Sequence, residues 1–197
     1  MADNISKSRK SSLENSEFEL IERIRSGDEH AFRDMFKTYY PLLVNFARRY
    51  VCNISIAEDI VEDVFLKIWQ NRQKWNPTIS VKAYLFQTIR NRALNYLKRS
   101  KMEQQIASDL ETSSIAIKTP EDILDEKEML AEIQLAIEAL PKRARSIFTM
   151  HRYDQLKYAE IAETLNISVG TVETHMVRAL KFLRKRLAHF LSTHTFV

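Results

Sequence analysis

Two glycines and four prolines in 197 residues leave this chain almost no material for tight turns. Two-residue hairpin turns draw on glycine and asparagine for their positive φ angles, so a sheet protein of this length would use many more. The scarcity points to an all-α chain. With 45% apolar residues set at helical spacing, the chain reads as globular rather than disordered.

The clearest pattern is YAEIAETLNISVGTVETHMVRALKFLRKR, beginning at Tyr158 and ending at Arg186. Ile161, Ala162 and Leu165 make one apolar face, Asn166-Ile167-Ser168 interrupts the period, and Val169, Val172, Met176, Leu180, Leu183 and Leu187 resume it. This spacing predicts a helix-turn-helix with Ser168 as N-cap. Gly170 falls in the first turn of the second helix, where a Cβ would crowd a close neighbour or a DNA backbone. Opposite the apolar stripe lie Thr174, Val177, Arg178, Lys181 and Lys185, a set able to meet bases and phosphates. The same cations would also serve a solvated helix end that complements its own dipole.

Charge is segregated along the chain. The net charge is +2 over residues 1–12, +3 over 13–100, −7 over 101–139 and +6 over 140–197. Two basic modules around an acidic connector suit a protein that touches a polyanion at two places better than a compact enzyme. The strongest run lies between Val64 and Met102, which holds nine cations and no acidic residue. Unopposed, these would repel one another, so an anionic partner is expected.

Taken in order, residues 1–12 read as a mobile tail. A helix from Glu17 ends at Gly27, and a second begins near Asp28 with a face of Ala31, Phe32, Met35, Phe36, Tyr39, Leu42, Leu43, Phe46, Ala47 and Tyr50, kinked or divided at Pro41. A third starts near Ala57, buries Val61, Val64, Phe65 and Ile68, and turns Asp59, Glu62, Asp63 and Leu66 outward. An exposed leucine among carboxylates fits a docking surface for a basic protein, or an acidic first turn that stabilises its own helix.

The loop NRQKWNPTI leads to Ser80 as N-cap of a helix to Arg99, with Leu85, Ile89, Ala93 and Tyr96 on its core side. Its other side offers Tyr84, Gln87, Asn91, Asn95 and Lys98. Amides read base edges, a ring stacks on a base and cations hold phosphate, although such residues also occur on any solvated face. An acidic linker over 101–119 follows. Thr119 and Pro120 open a helix to Leu140, and residues 120–190 make a second small bundle around the helix-turn-helix.

Other classes are disfavoured. Cys52 is alone, which excludes an internal disulfide or a multi-thiolate zinc site and suggests a reducing, cytoplasmic setting. No apolar run nears the roughly 18–20 residues of a membrane span, and MADNISKSRKSS lacks a signal peptide's apolar core, so no membrane insertion is expected. His30, His151, His175, His189 and His194 have no carboxylate or cysteine at metal spacing, and no nucleophile motif or phosphate loop is present. Neither enzymatic activity nor a cofactor is expected.

The order of these parts resembles the extracytoplasmic-function sigma factors, two-domain members of the sigma-70 family of bacterial RNA polymerase. AEDIVEDVFLKIW looks like the helix that binds the polymerase clamp, SVKAYLFQTIRNRALNYLKR like the minus-ten-reading helix, and the segment from Leu140 to Leu187 like the minus-thirty-five-reading domain. The resemblance covers roughly residues 17–187. It implies two helical bundles, 13–100 and 120–190, joined by a flexible acidic linker, with core RNA polymerase, duplex and single-stranded promoter DNA and an anti-sigma factor as partners. It also assigns residues. Asp59, Glu62, Asp63 and Leu66 would meet the clamp. The loop from Lys74 to Ile79 would capture a flipped base beside Tyr84, Asn91 and Asn95, with Lys82, Arg90, Arg92 and Lys98 on phosphates. Thr171, Glu173, Thr174, Val177, Arg178 and Lys181 fall where the family reads the upstream element. Glu173 stands where a basic residue is common and would suit a cytosine amino group instead. The rival reading is a stand-alone regulator that binds duplex DNA through 141–187 and uses 13–100 for sensing or dimerisation.

Overall fold

The computed structural model describes residues 16–107 and 124–188. Eight α-helices and one 3-10 turn account for their regular structure. The chain divides after Ala107 into two compact units.

The first unit holds α1 (16–25), α2 (Glu29–Val51), α3 (Ile54–Gln70) and α4 (Val81–Ala107), with a 3-10 turn at Arg72–Lys74. Gly27, at φ 91°, reverses the chain after α1, and Asp28 caps α2 by accepting from the amides of His30 and Ala31. α2 packs on both α3 and α4. Phe46, Phe65, Phe86, Leu43, Leu85 and Ile89 fill the space between them, and the Phe46 and Phe86 rings meet edge to face at 4.9 Å.

Several expectations need correction. α2 runs unbroken through Pro41. That proline is on the exposed side, so the carbonyl its missing N–H leaves unbonded faces water rather than core. Leu42 is exposed, and the buried neighbour is Val44. α3 begins at Ile54, earlier than Ala57, because Asn53 Oδ1 accepts from the Ile56 amide at 3.2 Å. Tyr96 is 37% exposed, and Phe86 supplies the core contact instead. The backbone of α4 stays helical through 101–107, where the linker was expected to have begun. The tail at 1–12, the linker from 108 to 119 and the Thr119-Pro120 helix start lie outside the described residues.

The second unit holds α5 (Leu124–Glu138), α6 (Lys142–Arg152), α7 (Tyr158–Leu165) and α8 (Val169–Arg186). α8 packs against α5, α6 and α7. Ala136, Ile137, Leu140, Ala144, Ala179 and Leu183 form one apolar cluster, flanked by Ile133, Phe148 and Leu187. Between α7 and α8, Asn166 takes the left-handed conformation (φ 53°, ψ 57°), and the amide of Ile167 returns to Ala162 O at 3.0 Å. Ser168 Oγ accepts from the Thr171 amide at 3.2 Å and starts α8. The buried stripe of α8 is Val172, Met176, Ala179 and Leu183, while Val169 and Leu180 are exposed.

Candidate nucleic-acid and protein interfaces

Three surfaces carry the expected site residues, two on the first unit and one on the second. On α3, Asp59 and Glu62 are exposed and Leu66 is 54% exposed. Glu62 is held from α2, where Tyr40 Oη donates to its Oε1 at 3.0 Å. Burial, and then the hydrogen bond to Glu62, push the Tyr40 phenol up to about 12. Asp63 behaves differently. Its Oδ2 accepts from Lys67 Nζ at 2.8 Å and from an Arg92 guanidinium nitrogen. These contacts, the Lys67 hydrogen bond foremost, hold the carboxyl below its ordinary range despite some desolvation. Asp63 therefore ties α3 to α4 rather than standing outward as a free docking charge. Lys67 and Arg92 are likewise opposed by a carboxylate, which corrects the picture of nine bare cations.

Behind this pair, α3, the 3-10 turn, the following loop and α4 enclose a cleft of about 360 Å³. Lys67, Lys74 and Arg92 give it cationic walls, Asn71 and Asn76 add amides, and Tyr84 and Thr88 line it from α4. Trp75 also lines it. This ring is 6% exposed and meets Tyr84 edge to face at 6.1 Å. Its buried Nε1 donor has no partner among the described residues. A buried donor without an acceptor is costly to the fold.

Tyr84, Thr88, Asn91, Asn95 and Lys98 follow steps of three and four, so they form one stripe running from the cleft along α4. Asn91, Asn95 and Lys98 are exposed. Lys82 and Arg90 are half-buried and lie more than roughly 100° around the helix from Tyr84, off that stripe. The structure thus joins Lys74, Tyr84 and Arg92 at the cleft and extends them with Asn91, Asn95 and Lys98. Trp75 belongs to the Lys74–Ile79 loop expected to capture a base, but a loop position gives no sign that its ring is buried. An aromatic residue between two turn-forming stretches was the available signal.

On α8, Glu173, Thr174, Val177, Arg178 and Lys181 are all exposed, Val177 at 66%. Thr171 is half-buried, and its hydroxyl lies 2.8 Å from Ser168 Oγ. Thr174 Oγ1 donates to Gly170 O at 2.8 Å, so its proton is committed while its oxygen can still accept. A Cβ built at Gly170 would meet nothing within 4 Å. The glycine is therefore not required by a neighbour within the unit. His175 is half-buried on the same helix, and His151 Nδ1 lies 3.0 Å from Leu156 O, a turn contact rather than a catalytic one.

Among the described residues, no group of three or more His, Cys, Asp and Glu side chains could hold a metal ion. Nor is any described helix long and apolar enough to cross a membrane.

Comparison with known families falls on both units. The family model described as Sigma-70 region 2 matches residues 35–102, and Sigma-70, region 4 matches residues 130–183. The chain belongs to the sigma-70 family. Its relatives place it in the extracytoplasmic-function (ECF) group. It is 27% identical over 176 residues to the ECF RNA polymerase sigma factor SigW of Bacillus subtilis (strain 168), covering 85% of this chain and 94% of that one. It is also 27% identical over 169 residues to the ECF RNA polymerase sigma-E factor of Escherichia coli (strain K12), covering 81% and 88%. Two solved structures share the fold. CnrH in complex with the cytosolic domain of CnrY covers 91% of this chain and 99% of its own, at TM-score 0.57 and 19% identity. The sigma factor RpoE of Bartonella quintana, in complex with the anti-sigma factor NepR, covers 80% and 96%, at TM-score 0.59 and 23% identity.

Proposed function

We propose that this ECF sigma factor binds core RNA polymerase and directs it to promoters whose upstream element is read as duplex by α8 and whose minus-ten element is held as an open strand at the α3–α4 cleft. One observation carries this reading: the chain pairs a donor-rich, base-sized cleft on one unit with a helix-turn-helix on the other. A stand-alone duplex regulator has no need of the first.

The surfaces divide the work by chemistry. At the cleft, Lys74 and Arg92 suit phosphate, Asn91 and Asn95 suit base edges, and Tyr84 offers an aromatic ring, a group worth about 1–3 kcal/mol per stacked base. That is comparable with the cost of taking a base out of the stack. On α8, Arg178 suits guanine and Val177 a thymine methyl group, while Glu173 accepts from a cytosine amino group. Thr171 and Thr174 support that face, and Lys181 holds backbone. Lys82 and Arg90 act on phosphate outside the cleft. Asp59, Glu62 and Leu66 make the polymerase contact, with Asp63 bracing their helix. Bond formation belongs to the polymerase, and this chain contributes binding alone, in the cytoplasm where the polymerase works. An anti-sigma factor that covers these surfaces would hold it inactive.

Reconstitution with core polymerase, followed by sequencing of transcript start sites, tests the proposal. The expected result is weak duplex binding by the free chain and promoter-selective initiation by the complex. Tight, sequence-specific duplex binding without polymerase, together with no initiation, would instead favour the stand-alone regulator.

A further inference from the structure

The crest of the 3-10 turn at Arg72–Lys74 is held from α1, a helix outside all three surfaces. Inside the turn, Asn71 O accepts from the Lys74 amide at 2.9 Å and Arg72 O accepts from the Trp75 amide at 3.1 Å. Gln73 O instead accepts from Arg25 Nε of α1 at 3.3 Å, across 48 residues of sequence. A second contact lies beside it. A Cβ built on Gly27 would stand 3.7 Å from Arg72 Nε, so the bend between α1 and α2 lies against the Arg72 side chain. Arg72 is itself fixed, with its guanidinium 4.5 Å over the Trp69 ring and Nη1 donating to Trp69 O at 2.9 Å.

α1 is the fixed side of this contact. Ile24 is fully buried, and Arg23 reaches across the bend to Asp28, the cap of α2, at 2.9 Å. The charge of Arg25 is met by Glu22 Oε1 at 2.6 Å, one turn back. A carboxylate so close offsets the pull of the guanidinium on a phosphate, while Nε stays with the carbonyl. The other side of the same turn is a wall of the α3–α4 cleft, where Asn71, Lys74 and Asn76 present polar groups. Such groups must be held to within about 0.5 Å to select a ligand, and a three-residue turn cannot do this alone.

We infer that Arg25 is a positioning residue for capture of the open promoter strand: through Gln73 O it sets where Lys74 and Asn76 stand at the cleft, without touching the strand. The inference rests on reading that cleft as the site of the minus-ten strand, and it brings α1 into promoter selection.

Two uncharged replacements of equal reach separate this role from a charged contact. In Arg25→Gln the amide nitrogen is as many bonds from the backbone as Arg Nε and can still donate to Gln73 O. In Arg25→Met a methyl group takes that place. Each full-length variant is assembled with core polymerase. Fluorescence anisotropy then gives its affinity for a single-stranded oligonucleotide carrying the minus-ten sequence recovered by start-site mapping, and for versions with single bases exchanged. Arg25→Met is expected to bind about fivefold more weakly and to discriminate less between bases, while Arg25→Gln stays within about twofold of the parent. Both should bind core polymerase as the parent does and keep its salt slope.

Equal losses in the two variants, with the salt slope lower by about one, would make Arg25 a phosphate contact and overturn the inference. Parent-like binding by Arg25→Met would overturn it too, as would a lower melting temperature with base discrimination intact, the mark of a purely structural role. Should Arg25→Met not fold, Arg25→Leu takes its place in the comparison. If the parent complex itself does not retain the oligonucleotide, the reading of the cleft fails and the inference with it.

Discussion

Asp63 on α3 and Arg92 on α4, 29 residues apart in sequence, are joined by a direct ion pair that Lys67 shares from one turn away. One carboxylate oxygen thus sets the spacing of two cations that line the α3–α4 cleft. Asp63 and its neighbours Asp59 and Glu62 look alike as letters but differ in employment, and this difference can be measured.

Asp59→Ala combined with Glu62→Ala should lower affinity for core polymerase at least tenfold, or about 1.4 kcal/mol, while leaving the melting temperature within a degree or two. Asp63→Ala should do the reverse, lowering the melting temperature first. Titration calorimetry and thermal melts on the same preparations would separate the two. Equal melting losses in both variants would place Asp59 and Glu62 among structural residues.

The pH dependence follows from the same pair. Asp63 has its carboxyl held below the ordinary value of 3.8 by Lys67 and Arg92. A depressed carboxylate contributes stability above its unfolded pKa and loses it as pH falls through the folded value. The brace should therefore be intact at neutral pH and fail below about pH 4. Asp63→Asn should flatten that part of the acid limb in urea unfolding between pH 7 and 2. Because the Asp63 side chain is 40% exposed, its cost at pH 7 should be about 1 kcal/mol or less.

Trp75→Phe keeps an aromatic ring but removes the donor that lacks a partner. Loss of an unsatisfied buried N–H is expected to leave stability unchanged or raise it by up to about 1 kcal/mol. Binding of the polymerase complex to a single-stranded minus-ten oligonucleotide should stay unchanged, because the ring is 6% exposed and its Nε1 is closed to solvent. Weakened oligonucleotide affinity would show that the ring reaches the strand.

Arg178→Ala should relax selection at one or two upstream base pairs by about 1–3 kcal/mol each, whereas Lys181→Ala should weaken all sequences alike and reduce the salt slope by about one. Competition binding against a randomised upstream element reads both. Equal losses on every sequence for Arg178→Ala would move that residue from base to backbone.

Much of this was written in the order of residues. The helix-turn-helix was legible because Ile161, Leu165, Val172, Met176 and Leu183 keep a helical period on either side of a break, with a capping serine at its restart. The outward face of α8 followed from the same projection. What sequence could not supply was contact across helices. Nothing near Asp63 announces a partner 29 residues away, so its carboxylate read like those of Asp59 and Glu62. Phe32 and Phe36 were misjudged for a related reason, since periodicity says which side of a helix is apolar but not whether that side is fully covered. Leu180 and Tyr96 erred the same way and further: each fits an apolar step, but the inward place went to the smaller Ala179 and to Phe86.

Gly170 has a wider consequence. Alanine there would firm α8, by up to about 1 kcal/mol were the site in mid-helix and by less in its first turn, and it would strike nothing inside the unit. Selection for heat endurance and selection for promoter choice should therefore disagree at this position. A library randomised at 170 and sorted both ways would return different winners, and the gap between them would measure how closely the bound groove presses on the helix.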